Sequence, residues 1–244
     1  MRWRRGPRLP SGLTFGGRVP AAVGLLLALM VVGSVAGYVT RRADLFAFSP
    51  TAIVRGELWR LVAWPWVSDP LTLLFAGLLL WSMGAQLTYA WGEGRFLVRS
   101  LVITVGASLG ATLLALVWGA ADAPHLGIWP LANALLLSWA MLHPDAQVSL
   151  MMVLPVTGRT LGLLVVFGTV LWGLAAGGIA GLGAFALHLF ALAVAWVLSR
   201  GRLPTRRWKM QLRDWWSERE FRRRAKHLKV IRKDGSDEPP RWLN

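Results

Sequence analysis

The sequence predicts an all-α polytopic membrane protein, built as a bundle of six transmembrane helices with an interfacial loop between helices 1 and 2. Of its 244 residues, 55% are hydrophobic and only 16% are charged. The mean hydropathy of +0.49 is too high for a water-soluble domain of ordinary composition. The apolar residues also gather into long runs, with the basic residues mostly outside them.

The apolar runs define the six predicted helices, because crossing about 30 Å of hydrocarbon takes roughly 20 apolar residues. A single uncharged stretch, 160–199, is too long for one helix. Its glycines Gly177, Gly178, Gly181 and Gly183 predict a turn that divides it in two. The six predicted spans are 19–40, 70–92, 100–121, 126–142, 160–176 and 184–199.

Basic residues predict the orientation of the bundle. The first run is too long for the h-region of a signal peptide and lacks a small-residue cleavage site after it. With six spans, both termini lie on one side. The termini and the loops 93–99 and 143–159 hold 23 of the 27 Lys and Arg, which predicts that they are cytoplasmic. The loop 41–69 has four arginines, three acids and many Trp, Phe and Pro, as is typical of an interfacial segment.

Three segments follow from this pattern: a basic cytoplasmic N-terminus at 1–18, a membrane domain at 19–199 and a basic cytoplasmic tail at 200–244. The tail carries 15 Lys or Arg against six Asp or Glu. Either it forms a surface helix attracted to anionic lipids, or it is a solvated tail that fixes topology. It has no nucleic-acid recognition motif, so no nucleic acid is expected as a partner.

The composition also limits the chemistry. The chain has no cysteine, which excludes disulfides, thiolate metal sites and thiol nucleophiles. Four histidines leave little material for a metal cage. We therefore expect no metal and no cofactor.

Three short strings of sequence point to a family. Arg-Gly-Glu-Leu-Trp-Arg-Leu-Val lies between the first two spans and contains Gly56, Glu57, Trp59 and Arg60. Leu-Trp-Ser-Met-Gly and Trp-Gly-Glu-Gly-Arg-Phe-Leu follow at the end of the second span. In this order and separation, the strings resemble the rhomboid superfamily of intramembrane serine proteases and their inactive relatives, over about 45–198. The Trp59 indole suits an interface, and the Arg60 guanidinium can reach headgroups or cap loop carbonyls.

The resemblance implies a catalytic serine in a Gly-x-Ser-Gly string at the outer end of the fourth span. Here Gly127 matches the first glycine, Trp129 stands in place of the serine, and Pro130 replaces the second glycine. An indole has no nucleophilic oxygen, and its ring is expected to fill the substrate cavity. The family's oxyanion-stabilising His and Asn correspond to Thr72 and Ala76. Ala76 has no donor and Pro130 has no N–H.

The family's histidine position on the sixth span is retained as His188, although Ala191 replaces a usual glycine. An ionisable group inside a span is a functional candidate. Without a serine, however, His188 is expected to be a neutral imidazole that is hydrogen-bonded to a neighbouring helix or stacked against Trp129. The serines Ser82, Ser108 and Ser138 are interpreted as packing residues that bond to their own helix backbone.

Two series of small residues predict close helix packing. Gly173, Gly177 and Gly181 form one, and Gly106 with Gly110 forms the other. Packing within the chain is the simpler interpretation. The more specific interpretation is dimerisation, or binding of the transmembrane helix of a client protein.

We expect a rhomboid-like pseudoprotease of the membrane that binds transmembrane segments of client proteins without cleaving them. The binding surface would be the gap between the second and fifth helices or the surface around Trp129. One alternative is an intramembrane serine endopeptidase with a rearranged active site. Another is a small transporter or a structural membrane protein, although few polar residues occur in the spans. With no organelle-targeting signal apparent, the expected location is a bacterial inner membrane.

Overall fold

The computed structural model describes residues 19–118, 124–150 and 154–200. Within these ranges the chain is mostly helical and forms an all-α polytopic bundle. The basic N-terminus 1–18 and the tail from residue 201 onward, including its predicted lipid-binding surface helix, lie outside the described residues.

The elements run as follows along the chain. The helices are α1 Ala21–Val39, α2 Pro50–Val54, α3 Arg60–Ala63, α4 Pro70–Trp91, α5 Glu93–Trp118, α6 Trp129–Leu142, α7 Gly158–Ala175, α8 Gly178–Ala184 and α9 Ala186–Arg200. Two 3₁₀ turns, Ala43–Phe46 and Trp64–Trp66, flank α2 and α3. A π-helical turn, Leu80–Gly84, lies inside α4. The strands β1 Gln147–Leu150 and β2 Leu154–Thr157 form an antiparallel hairpin.

Local sequence explains where the helices begin and end. Asp69 caps α4, accepting a hydrogen bond from the Thr72 N–H, and Pro70 supplies a helix-compatible φ at the first position. Gly92 has a φ of +85°, which breaks the chain between α4 and α5 without the strain that a side chain would bring. Gly177 and Gly178 also have positive φ, so the predicted turn between the last two spans lies at these two glycines, whereas Gly181 and Gly183 lie within α8.

The core centres on α6, α5 and α9. Ten of the 14 residues of α6 are buried, from Pro130 to Ala140, because α9, α7 and α4 all pack against it. α9 also packs along α5, where Gly106 and Gly110 face Val194 and Phe190. Helix association in lipid depends on such close packing, since apolar burial alone gives no advantage over lipid contact.

The structure does not give six spans by length and apolarity. Four helices are long enough, namely α1, α4, α5 and α7, and the pair α8 and α9 makes up to five if its bend of 66° is counted within one span. The predicted fourth span falls short because α6 begins only at Trp129. Its 14 residues extend about 21 Å at 1.5 Å per residue, less than the hydrocarbon thickness.

The predicted interfacial loop between α1 and α4 is a set of short helical pieces. α2 begins after Ser49, whose side chain accepts a hydrogen bond from the Ala52 N–H, with Pro50 at the first position. α3 follows the Gly-Glu-Leu-Trp string. These pieces pack against α1 and α5, so the loop is a folded cover at one end of the bundle.

Candidate functional site

The candidate site lies where α6 begins, at the end of the bundle that the loop covers. Gly127 directly precedes α6 with a φ of +112°, a conformation that favours glycine. Its N–H donates to the Trp64 carbonyl at 3.0 Å, and the Ile128 N–H donates to Ser68 Oγ at 3.2 Å. The backbone ahead of Trp129 is thus fastened to the loop between α1 and α4.

The indole of Trp129 points toward α4. Its Nε1 donates to Thr72 Oγ1 at 3.2 Å, and 38% of the residue's surface is exposed. Thr72 is held in turn by Asp69, whose carboxylate accepts from the Thr72 backbone at 2.9 Å. Hydrogen bonds from Thr72 lower the pKa of Asp69 below its ordinary value of 3.8. Trp129 and Thr72 therefore join the starts of α6 and α4.

His188 meets different partners from those expected. Its ring lies edge to face with His125 at 4.8 Å between centroids, and tilted against Phe185 at 4.9 Å. Its Nδ1 is buried and has no hydrogen-bond partner among the described residues. The expected hydrogen bond to a neighbouring helix and the expected stacking on Trp129 are both absent from this part of the chain. The reason is geometric, because the indole is held by Thr72 and the ring of His125 lies against His188 instead.

His125 is the site residue that the sequence reasoning missed. The strand-like segment around it pairs with Phe48, with the Phe48 N–H donating to the His125 carbonyl at 2.8 Å and the return bond at 3.0 Å. Its ring also lies 6.0 Å from that of Trp64, and its Nε2 is buried without a partner among the described residues. The available signal was a histidine two residues before Gly127 at the start of an otherwise apolar run.

The imidazoles of His125 and His188 are the two potential metal ligands that lie together at this site. Among the residues that the structure describes, no three of His, Asp and Glu lie together in a way that could hold a metal ion. The arrangement around His125 and His188 is an aromatic cluster with Trp64 and Phe185.

None of the three serines considered from the sequence has a hydrogen bond to His188. Ser138 Oγ donates to the Ala134 carbonyl at 2.9 Å and Ser82 Oγ to the Leu79 carbonyl at 3.2 Å, both within their own helix. Ser108 has more partners. Its hydroxyl lies 2.9 Å from the carbonyls of Thr104 and Leu61, and it accepts from Trp64 Nε1 at 2.9 Å. All three are structural contacts.

Ala76 occupies the second expected oxyanion position. It lies one helical turn after Thr72 on α4 and is fully buried. A methyl group in a packed position provides no hydrogen-bond donor. Of the two positions, Thr72 alone has a polar side chain, and its hydroxyl already accepts from Trp129.

The Gly-Glu-x-Trp-Arg string builds the loop. Arg60 is buried, and its Nη1 donates to the carbonyls of Asp44 and Ala47, both at 2.7 Å. Its Nε pairs with Glu57 at 2.7 Å. Gly56 has a φ of +103°, and Trp59 Nε1 donates to the Leu45 carbonyl at 3.2 Å. Capping of loop carbonyls, one of the two roles predicted for Arg60, is present in the structure.

The glycine series lie at close contacts within the chain. A Cβ on Gly173 would approach Leu182 at 3.0 Å, and one on Gly181 would collide with the Gly173 carbonyl. Gly177 has a φ of +152°. These three glycines let α7 and α8 lie against each other. On α5, a Cβ on Gly110 would collide with the ring of Phe190.

Taken together, the helices and their lipid-facing apolar surfaces define an integral membrane protein that crosses the bilayer several times. A family model described as "Eukaryotic integral membrane protein (DUF1751)" matches residues 24–200, and the chain belongs to this family. A search of curated proteins finds no match to the chain.

The family corrects the expected location. A family described as eukaryotic contradicts the bacterial inner membrane. That expectation depended on the lack of an apparent organelle-targeting signal, and such a lack does not identify a membrane. The multi-pass membrane location is unaffected.

Proposed function

We propose that this chain is a rhomboid-like pseudoprotease that binds transmembrane segments of other membrane proteins without cleaving them. The observation that carries the proposal is the hydrogen bond from Trp129 Nε1 to Thr72 Oγ1, 3.2 Å long. It fixes an indole where the resemblance to rhomboid proteases would have the nucleophilic serine. The family membership gives the coarser part, an integral membrane protein.

A six-span topology is part of the proposal. The 14-residue α6 is too short to cross lipid alone, but it is surrounded by α4, α7 and α9. A short helix that is enclosed by other helices can still connect the two sides, because its unpaired backbone groups then find partners in protein and not in lipid. Counting α6 and the bent pair of α8 and α9 as spans gives six, with both termini on the cytoplasmic side by the distribution of basic residues.

Several components of serine protease chemistry are missing at this site. An imidazole acts as general base only within hydrogen-bond reach of a hydroxyl, and the buried Nδ1 of His188 has no such partner among the described residues. The N–H groups of Gly127 and Ile128 are already bound to the loop. Pro130 has no N–H to offer a developing oxyanion.

The surface around Trp129 supports binding of a helix. α4 exposes Leu71, Leu74, Phe75 and Leu78, and only Ala76 is buried in its first ten residues. α7, which also packs on α6, is mostly exposed as well. These faces are open to a second helix, which in lipid binds through complementary shape and polar contacts and not through apolar burial alone. Trp129 adds an aromatic surface at the start of α6, 38% exposed.

Site-specific photocrosslinking tests the binding. A photoreactive amino acid at position 129 should give crosslinks that mass spectrometry maps to transmembrane segments of identified membrane proteins. The matched control is position 117 on α5, where Val117 is 84% exposed near the same end of the bundle. Adducts to lipid alone at position 129, or the same protein adducts at both positions, would contradict the proposal.

Activity labelling tests the absence of peptidase chemistry separately. The purified chain should not react with a serine-directed fluorophosphonate and should leave a model transmembrane substrate intact, beside an authentic rhomboid protease as the positive control. Cleavage that disappears on His188→Ala would replace this proposal with the rearranged protease.

A further inference from the structure

A pocket of about 490 Å³ lies between the loop that joins α1 to α4 and the segment just before α6. It is lined by Asp44, Ala47, Ser49, Arg60, Pro124 and Leu126. The lining therefore combines an acid, a buried arginine and a hydroxyl with apolar residues from two loops. Nothing in the proposed binding of transmembrane segments uses this pocket.

The two charged groups of the pocket do not neutralise each other. The guanidinium of Arg60 binds the backbone carbonyl of Asp44, not its carboxylate, and pairs with Glu57 through Nε. Its Nη2 has no hydrogen-bond partner among the described residues. The Asp44 carboxylate forms no ion pair with any described residue. A positive donor and a negative acceptor thus line one pocket while each keeps capacity for a ligand.

The position of the pocket in the fold indicates the source of such a ligand. The loop connects the end of α1 at Val39 to the start of α4 at Pro70, which puts it at a boundary of the membrane. Leu58 and Trp59 expose 61% and 55% of their surfaces beside Arg60. Exposed Leu and Trp in the turn that leads into a short helix, at the end of a span, are typical of a segment at headgroup depth.

We propose that this pocket binds the headgroup of a zwitterionic phospholipid with a primary amine. The phosphate accepts hydrogen bonds from Arg60, and the ammonium donates to Asp44. The two N–H groups of Arg60 Nη2 can donate to phosphate oxygens, and a charge-assisted hydrogen bond suits the amine. Phosphatidylethanolamine has both groups in one headgroup. Phosphatidylglycerol lacks the cation and leaves Asp44 facing an anion.

The test measures lipid retention by the full-length purified protein. The protein in detergent is equilibrated with equimolar phosphatidylethanolamine and phosphatidylglycerol, and native mass spectrometry counts the lipid adducts. We expect wild type to favour phosphatidylethanolamine about tenfold, since one charge-assisted hydrogen bond is worth about that factor. Asp44→Asn should remove the preference, because it removes the negative charge that pairs with the ammonium. It keeps the backbone carbonyl that Arg60 binds, so the loop contact is unchanged. Asp44→Lys should reverse it toward phosphatidylglycerol.

The matched control is Asp145→Asn, which removes an acid from an exposed loop where Asp145 pairs with Arg159. It should leave the preference unchanged. Leu126→Trp fills the pocket without altering either charge and should reduce retention of both lipids, so the test does not depend on one variant folding. An unchanged preference in Asp44→Asn, an equal loss of preference in Asp145→Asn, or displacement of the lipid by millimolar inorganic phosphate would overturn the proposal.

Discussion

The imidazole rings of His125 and His188 meet edge to face, with their centroids 4.8 Å apart. One ring belongs to the loop before α6 and the other to α9, so the contact joins two segments far apart in sequence. Trp64 and Phe185 extend the cluster on either side. Neither buried nitrogen, His125 Nε2 or His188 Nδ1, has a hydrogen-bond partner among the described residues. The side chain of His188 is therefore held by packing against the rings of His125 and Phe185.

His188→Phe tests this interpretation. Phenylalanine keeps an aromatic ring against His125 and Phe185 and removes a buried polar atom that has no described partner. Such a replacement is neutral or stabilising, while leaving a polar group unpaired costs about 1–3 kcal/mol. We expect His188→Phe to unfold in detergent at or above the wild-type temperature.

His188→Ala is the comparison for that measurement, because it removes the ring and leaves a space between His125 and Phe185. It should lower the unfolding temperature clearly. A His188→Phe protein as unstable as His188→Ala would show that the imidazole nitrogens, not the ring, carry the stabilisation.

The hydrogen bond between Trp129 and Thr72 can be measured with a double-mutant cycle. Trp129→Phe removes the donor. Thr72→Val removes the acceptor with little change in the shape of that side chain. We expect a coupling free energy of about 0.5–1.5 kcal/mol from reversible unfolding in mixed micelles, the usual range for hydrogen bonds in membrane proteins. Additive single-variant effects would mean that the two starts of α4 and α6 are not joined in this way.

Much of the bundle could be predicted from the sequence, because apolar runs and glycines act locally. The turn at Gly177 and the presence of a structured loop around Arg60 both follow from such patterns. The short α6 and the hairpin of β1 and β2 were missed. The run at 126–142 contains its own helix start, set by Gly127 and Pro130, and hydropathy alone does not detect it.

The site was harder to predict for the same reason. The sequence identified Trp129 and His188 through their places in a motif, but a motif does not specify which way a side chain points. The Trp129 indole donates to Thr72. The ring partner of His188 is His125, which is positioned by its backbone pairing with Phe48. Contacts between residues 57 or more positions apart depend on the folded loop, which no local pattern encodes.

Arg60 should be sensitive even to lysine. Its planar guanidinium makes three charge-assisted hydrogen bonds, to Glu57 and to the carbonyls of Asp44 and Ala47. A lysine ammonium lacks this fork geometry. We expect Arg60→Lys to destabilise the protein by about 2–3 kcal/mol, the scale of one or two lost charged hydrogen bonds, measured by thermal unfolding.

The matched control for that variant is Arg159→Lys. Arg159 pairs with Asp145 at 3.0 Å, but both side chains are largely exposed, and surface ion pairs contribute little. It should unfold at the wild-type temperature. Equal effects of the two lysine substitutions would refute a special role for the guanidinium of Arg60.

Gly110→Ala should separate α5 from α9. A Cβ at position 110 would collide with the ring of Phe190, which lies on α9 where that helix packs against α5. Overpacking of this kind costs about 1–3 kcal/mol. Gly168 in α7 is the matched control, since a Cβ there meets nothing within 4 Å. Gly168→Ala should be neutral or stabilising through its higher helix propensity, so comparing the two unfolding temperatures isolates the collision. If Gly110→Ala is as stable as Gly168→Ala, then α5 and α9 do not pack as closely as the structure has them.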